Sequence, residues 1–233
     1  MKYPDQYIEK CLEDQNSILN CLAQRDKDLV AEHYSITRIR KGRSIFNEGD
    51  KFRGLIFMAS GKAKIFRNGV AGREHIMRLI KPGDLMGLGV LFSDNVWPAN
   101  SVALEDSVTC SVDRQVIMKL FRSNAELAMR AGRLLACELY SSYNKMVSLT
   151  QKHVRGRLAE SILLAAETYG LEDDGKTLRS RLSRNDLAHL SNMTTSNAIR
   201  TLSSFASEGI IKLKGRQLTL LDEALLEKIS EQA

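Results

Sequence analysis

The chain of 233 residues is 43% hydrophobic and 27% charged, with a formal charge of +6 at neutral pH: an ordinary globular composition, long enough for two modest domains. No apolar run approaches the roughly 20 residues that cross a bilayer, and the opening MKYPDQYIEKCLEDQ places charges where a secretion signal would hold its apolar core. The expected location is the cytoplasm, with no membrane partner, and the positive charge permits a polyanionic partner without establishing one.

Along the chain, Ile8, Leu12, Ile18, Leu22 and Leu29 give the N-terminal stretch a helical spacing. From Ile36 to about Asp113, short β-rich runs (ITRIRKGRSIF, GLIFMASGKAKIFRNG, REHIMRLIKPGD, SVALEDSVTCSV) alternate with Gly, Asn and Asp turns, the pattern of an antiparallel roll or sandwich. Within it Ala63, Ile65 and Ile76, with Arg78 set on the opposite face, read as period-two alternation. Cys11, Cys21, Cys110 and Cys137 form no CxxC pair, which suggests neither a disulfide framework nor a structural zinc site.

After Asp113 the texture changes. From Asn124 to Thr150 there is neither proline nor a turn cluster, and Ala128, Leu135, Leu139, Ser142, Met146 and Leu149 follow a near-heptad spacing, which predicts a long helix with a narrow seam. VRGRLAESILLAAETYG predicts an amphipathic helix ending at Gly170. LSRNDLAHL then starts at Ser183, with Asp186 completing a capping box; SNM makes a turn; Thr194 caps TSNAIRTLSSFASEG, which stops at Gly209; IIKLKGRQLTLL is a hairpin about Lys214-Gly215. Helix, tight turn, helix, β-hairpin is the outline of a winged helix-turn-helix.

In such a unit the second helix enters the DNA major groove. Leu187, Ala188, Leu190, Ile199, Leu202 and Phe205 are expected to tie the two helices together, leaving Thr195, Ser196, Asn197 and Arg200 outward. Asn pairs with adenine and Arg with guanine through two hydrogen bonds each, while Ser and Thr reach phosphates or either base type. The full expected DNA-binding set is Ser183, Arg184, Thr194, Thr195, Ser196, Asn197, Arg200 and, on the wing, Lys212, Lys214 and Arg216. Residues 151–233 hold twelve Lys/Arg against eleven Asp/Glu, so any basic footprint must come from clustering rather than surplus.

The ordered series KGRSIFNEGD, SGKAKIF, IKPGDLMG, the long helix, VRGRLAESILLAA and LSRNDLAHLSNMTTSNAIRTLSSFASEGIIKL resembles the Crp/Fnr family of dimeric bacterial transcription regulators over most of the chain. The resemblance implies an α+β chain of three parts: a β-roll of the cyclic-nucleotide-binding jelly-roll kind with N-terminal helices at 1–123, a dimerisation helix at 124–152 and a winged helix-turn-helix at 153–233. It implies a homodimer held by Leu135, Leu139, Ser142, Met146 and Leu149, with double-stranded DNA, RNA polymerase and a small-molecule effector as partners. Transcription regulation rather than catalysis is the expected function.

The effector pocket implied by the resemblance comprises Gly87, Leu88, Trp97, Pro98, Ala99 and Asn100, with Ser142 and Tyr143 of the long helix. Relatives that bind cyclic AMP carry a glutamate after the glycine and an arginine-serine pair further on; here Leu88 and Pro98-Ala99 stand in those places. Proline cannot donate even a backbone hydrogen bond, and a buried phosphate would meet no cation, so cyclic-nucleotide binding is not expected. Cys11, Cys21 and Cys110 do not assemble the ligand pattern of the iron–sulfur relatives. Two alternatives for the roll remain: a haem sensor using His75, with Met77 or Met86 as a second ligand, or a ligand-independent regulator with a filled pocket, Trp97 and Phe92 lining or plugging it. The cofactor and the signal are left unknown. In the recognition helix Thr195-Ser196 replaces the arginine-glutamate pair of the best-known members while Arg200 matches their downstream arginine, so a different operator is expected.

Overall fold

A computed structural model of the chain describes residues 5–15, 17–69, 72–93 and 95–231. The chain forms two compact units: Met1–Ile65 with Ile80–Tyr140, and Phe66–Leu79 with Ser141–Ala233.

The first unit opens with α1 (Gln6–Glu13), N-capped by Asp5, whose carboxylate accepts from the Tyr7 N–H at 2.7 Å. A 3-10 turn (Ile18–Cys21) and α2 (Gln24–Glu32) follow. The strands are β1 (Tyr34–Ile39), β2 (Ser44–Phe46), β3 (Gly54–Ser60), β4 (Ala63–Asn68), β5 (Glu74–Ile80), β6 (Leu85–Met86), β7 (Asn100–Ala103) and β8 (Ser107–Asp113), in sheets ordered β1-β8-β3-β6 and β2-β7-β4-β5. All the pairings in the first sheet are antiparallel, with Leu55 opposite Val112 and Phe57 opposite Cys110. In β3, LIFMA is almost continuously buried instead of alternating. The reason is that α1 and α4 (Arg114–Ser123) pack on β3 and β8, so those strands are covered on both faces, as a strand with no solvated side must be. Residues two apart share a face of a strand, and so Ile76 and Arg78 lie on the same side of β5; the residue turned the other way is Met77, 48% exposed.

Helix α5 (Ala125–Gln151) is continuous over 27 residues. Leu127 and Ala131 at its start join the core of the first unit. Leu135 is also half-buried against that core, and Leu149 is half-buried. The large apolar side chains left in solvent are Met129, Leu139, Tyr140, Tyr143, Met146 and Val147; Leu139 and Met146 belong to the seam read by spacing, while Tyr140, Tyr143 and Val147 widen the stripe beyond it.

The second unit is built on α6 (Val154–Tyr169), whose Leu158, Ala159, Ile162 and Ala165 are fully buried against α7 (Arg184–Leu190), α8 (Thr195–Ser207) and α9 (Glu223–Glu231). Hairpin β9 (Ile211–Lys214) and β10 (Gln217–Leu220) pairs Gln217 with Lys214 about Gly215. Residues 66–79 of the β4–β5 hairpin belong to this unit. Glu74 pairs with His189 of α7 at 3.3 Å, and the Lys145 ammonium donates to the Ile76 and Met77 carbonyls at 2.6 and 3.3 Å.

Burial pushes the Lys145 ammonium down to about 8 from its ordinary 10.5. Below about pH 8 the group is charged folded and unfolded, and the full desolvation cost is present. Between about 8 and 10.5 the unfolded chain keeps a proton that the folded chain has released, so this cost disappears as pH rises. Wild type is expected to gain stability relative to Lys145→Met between pH 8 and pH 10.5 in urea unfolding followed by circular dichroism; a constant difference would contradict the assignment.

Candidate nucleic-acid interface and roll pocket

The helix-turn-helix is set by its caps. The Ser183 side chain accepts from the Asp186 N–H at 3.1 Å while the Asp186 carboxylate accepts from the Ser183 N–H at 3.0 Å, a reciprocal capping box. Asn192, at φ +50°, makes the turn in the left-handed region that Asn tolerates, and the Thr194 hydroxyl caps α8 through the Asn197 N–H. Gly209, at φ +74°, follows the helix end.

Helix α8 buries Ala198, Thr201, Leu202 and Phe205 and exposes Ser196, Ile199, Arg200 and Ser203. Ile199 is thus a correction: it is 47% exposed on the outer face, and the neighbouring position that is buried is Ala198, at 0%. Spacing explains this, because 198, 202 and 205 fall on one side of a 3.6-residue helix and 196, 199, 200 and 203 on another. Asn197 is half-buried; its side-chain oxygen accepts from Arg200 Nη2 at 2.6 Å, so it aims the guanidinium from within the helix. The Thr195 hydroxyl donates to Asn185 of α7 at 3.0 Å. Ser183 and Thr194 are engaged as caps. On the wing, Lys212, Lys214 and Arg216 are exposed. Arg184 is half-buried and donates to the Gly215 carbonyl at 2.8 Å, so it ties the wing to α7.

One participant had no sequence signal beyond its charge. Arg155 of α6 makes a two-pronged ion pair with Glu208, both distances 2.7 Å, donates to the Ser204 hydroxyl at 2.7 Å, and stacks 4.8 Å from the centroid of the Phe205 ring. The guanidinium holds the Glu208 carboxyl down at about 2.

In the roll, Gly87 at φ +97° precedes the single turn α3 (Leu88–Leu91). A Cβ at Gly87 would sit 2.6 Å from Phe52 Cε2 and 2.8 Å from Trp97 Cη2, so these rings lie directly over the glycine. Trp97 is 6% exposed, stacks on Phe46 with centroids 3.6 Å apart, and meets Phe52 edge-on at 5.3 Å. Leu88 and Ala99 are buried, Pro98 is exposed, and Asn100 accepts from the Glu48 N–H at 3.0 Å. Phe92 lies in solvent with its ring edge-on to Phe121. Trp97 and Phe46 also wall a separate cavity of about 660 Å³ bounded by Tyr34, Ile45, Arg53 and Val112. Ser142 and Tyr143 are exposed on α5.

His75 is half-buried on β5. Its ring hydrogen-bonds the His189 backbone, its Nδ1 is buried without a partner, and burial together with Lys145 and Arg73 holds its pKa below the usual histidine range. Met77 is in solvent and Met86 is in the core. The Cys11 and Cys110 thiols hydrogen-bond each other, which with burial pushes Cys110 up. Among the described residues no three His, Cys, Asp or Glu side chains cluster as metal ligands.

Residues 36–124 match the cyclic nucleotide-binding domain family, and residues 156–229 match the Crp-like helix-turn-helix domain family. The chain belongs to the Crp/Fnr family of DNA-binding transcription regulators. This Crp/Fnr chain is 28% identical over 209 residues to the cyclic AMP receptor protein of Thermus thermophilus, covering 90% of the chain and 94% of the relative. It is 25% identical over 193 residues to the fumarate and nitrate reduction regulatory protein of Vibrio cholerae, covering 82% and 77%. FixK2 from Bradyrhizobium japonicum has the same fold, with a TM-score of 0.77 at 23% identity, covering 86% of this chain and 98% of that structure.

Trp97→Ala in this regulator is expected to cost about 3–5 kcal/mol, the usual range for emptying a buried aromatic site, as measured by urea unfolding followed by circular dichroism. A cost below about 1 kcal/mol would mean that the indole does not fill the roll.

Proposed function

We propose that the chain acts as a homodimer that places two α8 helices in successive major grooves of an operator, and that its roll takes no cyclic nucleotide. The observation that carries the reading is the outer face of α8, where Arg200, aimed by Asn197, stands beside Ser196 on a helix whose opposite side is fully buried. Lys212, Lys214 and Arg216 of the wing serve as phosphate contacts, and Arg184 positions that wing. The exposed stripe on α5 centred on Tyr143 supplies the dimer contact; unpartnered apolar side chains repeating every three or four residues are what a paired helix needs. RNA polymerase is the partner that a regulator of this family serves.

The reading of the roll rests on volume and charge. The Thermus relative is named for cyclic AMP, but here the space over Gly87 is filled by Trp97 and Phe52, and Leu88, Pro98 and Ala99 supply no cation. A phosphate placed there would lose its hydration without compensation. The ligand-independent alternative draws on the same packing of Trp97.

Selection from random duplexes with the full chain is expected to enrich a two-fold symmetric site with half-sites about one helical turn apart. Arg200→Ala should weaken that site by about 1–3 kcal/mol and relax one position, while Lys214→Ala should weaken all sequences alike and flatten the salt dependence. Cyclic AMP added to the same titration should leave affinity unchanged. An Arg200→Ala protein with unaltered preference would overturn the recognition-helix assignment.

Tyr143, 56% exposed, tests the dimer separately. Tyr143→Glu should sediment as a monomer and bind the full operator no better than a half-site; a dimeric variant would move the interface elsewhere.

A further inference from the structure

Ile199 is the apolar residue in the row of side chains that α8 turns outward, between Ser196 and Ser203 and next to Arg200. It is 47% exposed, and the burial of α8 is complete without it: Ala198, Leu202 and Phe205 are each at most 1% exposed. A β-branched side chain also lowers helix propensity slightly, so neither packing nor local structure accounts for isoleucine at this position. What the major groove can offer an aliphatic side chain is restricted by its chemistry. Base edges there carry hydrogen-bond donors and acceptors, and the C5 methyl of thymine is their apolar feature.

We infer that Ile199 is a specificity-determining residue that reads a thymine methyl in the base pair next to the one read by Arg200. The inference rests on the assignment of α8 as the recognition helix and adds a base to what that helix reads. The division of labour follows from the side chains: Arg200, braced by Asn197, supplies directional hydrogen bonds, while Ile199 supplies contact that hydrogen bonding cannot. Cytosine at that position would put an amino group, a donor without an acceptor, in the neighbourhood of the Ile199 side chain.

The test uses the operator selected by the full-length protein, with each thymine of a half-site replaced in turn by deoxyuridine, which removes the C5 methyl and leaves the hydrogen-bonding edges intact. Wild type is expected to lose about fourfold in affinity per half-site at one thymine, the effect of burying roughly one methyl group, and Ile199→Ala is expected to bind the thymine and uracil operators equally. Should every uracil substitution be neutral for wild type, or should Ile199→Ala keep the wild-type thymine-to-uracil ratio, the inference fails while the recognition-helix assignment stands. Absence of any enriched sequence in the selection would instead remove the assignment itself. Because Ile199 is solvent-exposed and outside the core, Ile199→Ala should match wild type by circular dichroism, and its non-specific DNA affinity provides an internal control.

Discussion

The burial of Phe205 fixes the rotation of α8 about its own axis, and most of what this regulator does depends on that rotation. A helix has one angular setting that puts Ala198, Leu202 and Phe205 into the core together; once it is chosen, Ser196, Ile199, Arg200 and Ser203 face solvent. Deleting a buried Phe ring usually costs about 3–5 kcal/mol, far more than any surface contact could restore. Arg155 reinforces the same setting from α6, because its guanidinium covers the Phe205 ring and grips Glu208 at the helix end. The exposed ion pair contributes little by itself. Its value is geometric: a planar fork bound at two points resists rotation where a single lysine contact would not.

Trp97 imposes a comparable constraint on the roll. A cradle over a glycine exists to let something approach the backbone closely, and here the approaching group is the protein's own indole. A molecule entering that space must first remove a ring that is stacked on Phe46 and edge-on to Phe52. Its binding energy would be reduced by the whole of that packing. The cavity of about 660 Å³ that Trp97 and Phe46 also line has Arg53 on its wall. The lack of a cationic side chain at Leu88, Pro98 and Ala99 and the filling of the space by Trp97 thus both support the proposal that the roll takes no cyclic nucleotide.

The helix-turn-helix was the most legible part of the sequence because its signals are local. Ser183, Asp186, Thr194 and Gly209 each act within four residues of their own position, and their types are dictated by unsatisfied backbone groups. Ile199 was misplaced because two helical registers share Leu202. One runs through Ile199 and the other through Ala198 and Phe205; size favours isoleucine as the core residue, yet the side chain that is buried is alanine. The two ends of the α5 seam are ambiguous for a related reason. Leu135 satisfies a heptad as well as any dimer contact, yet it is used inside its own chain, and spacing does not distinguish the two. Arg155, Lys145 and the Glu74–His189 pair act over tens of residues and leave no periodic trace.

The second unit combines two kinds of cohesion with different sensitivities. Helices α6 to α9 are held chiefly by apolar burial, which salt does not screen and which varies little with pH. Residues 66–79 of the β4–β5 hairpin meet α7 and α5 through polar groups: Glu74 with His189, the His75 ring with the His189 backbone, and Lys145 with two hairpin carbonyls. Such contacts are individually worth about 0.5–1.5 kcal/mol net, more where a charge is involved, and the buried Lys145 and the unpartnered His75 Nδ1 work against them. Within α7 and α8, Leu187, Ala188, Leu190, Ala198, Leu202 and Phe205 are each at most 2% exposed, and none of the polar contacts to the hairpin involves them. A perturbation strong enough to loosen the polar set would leave Phe205, Leu202 and Ala198 in place, and the outward face of α8 with them.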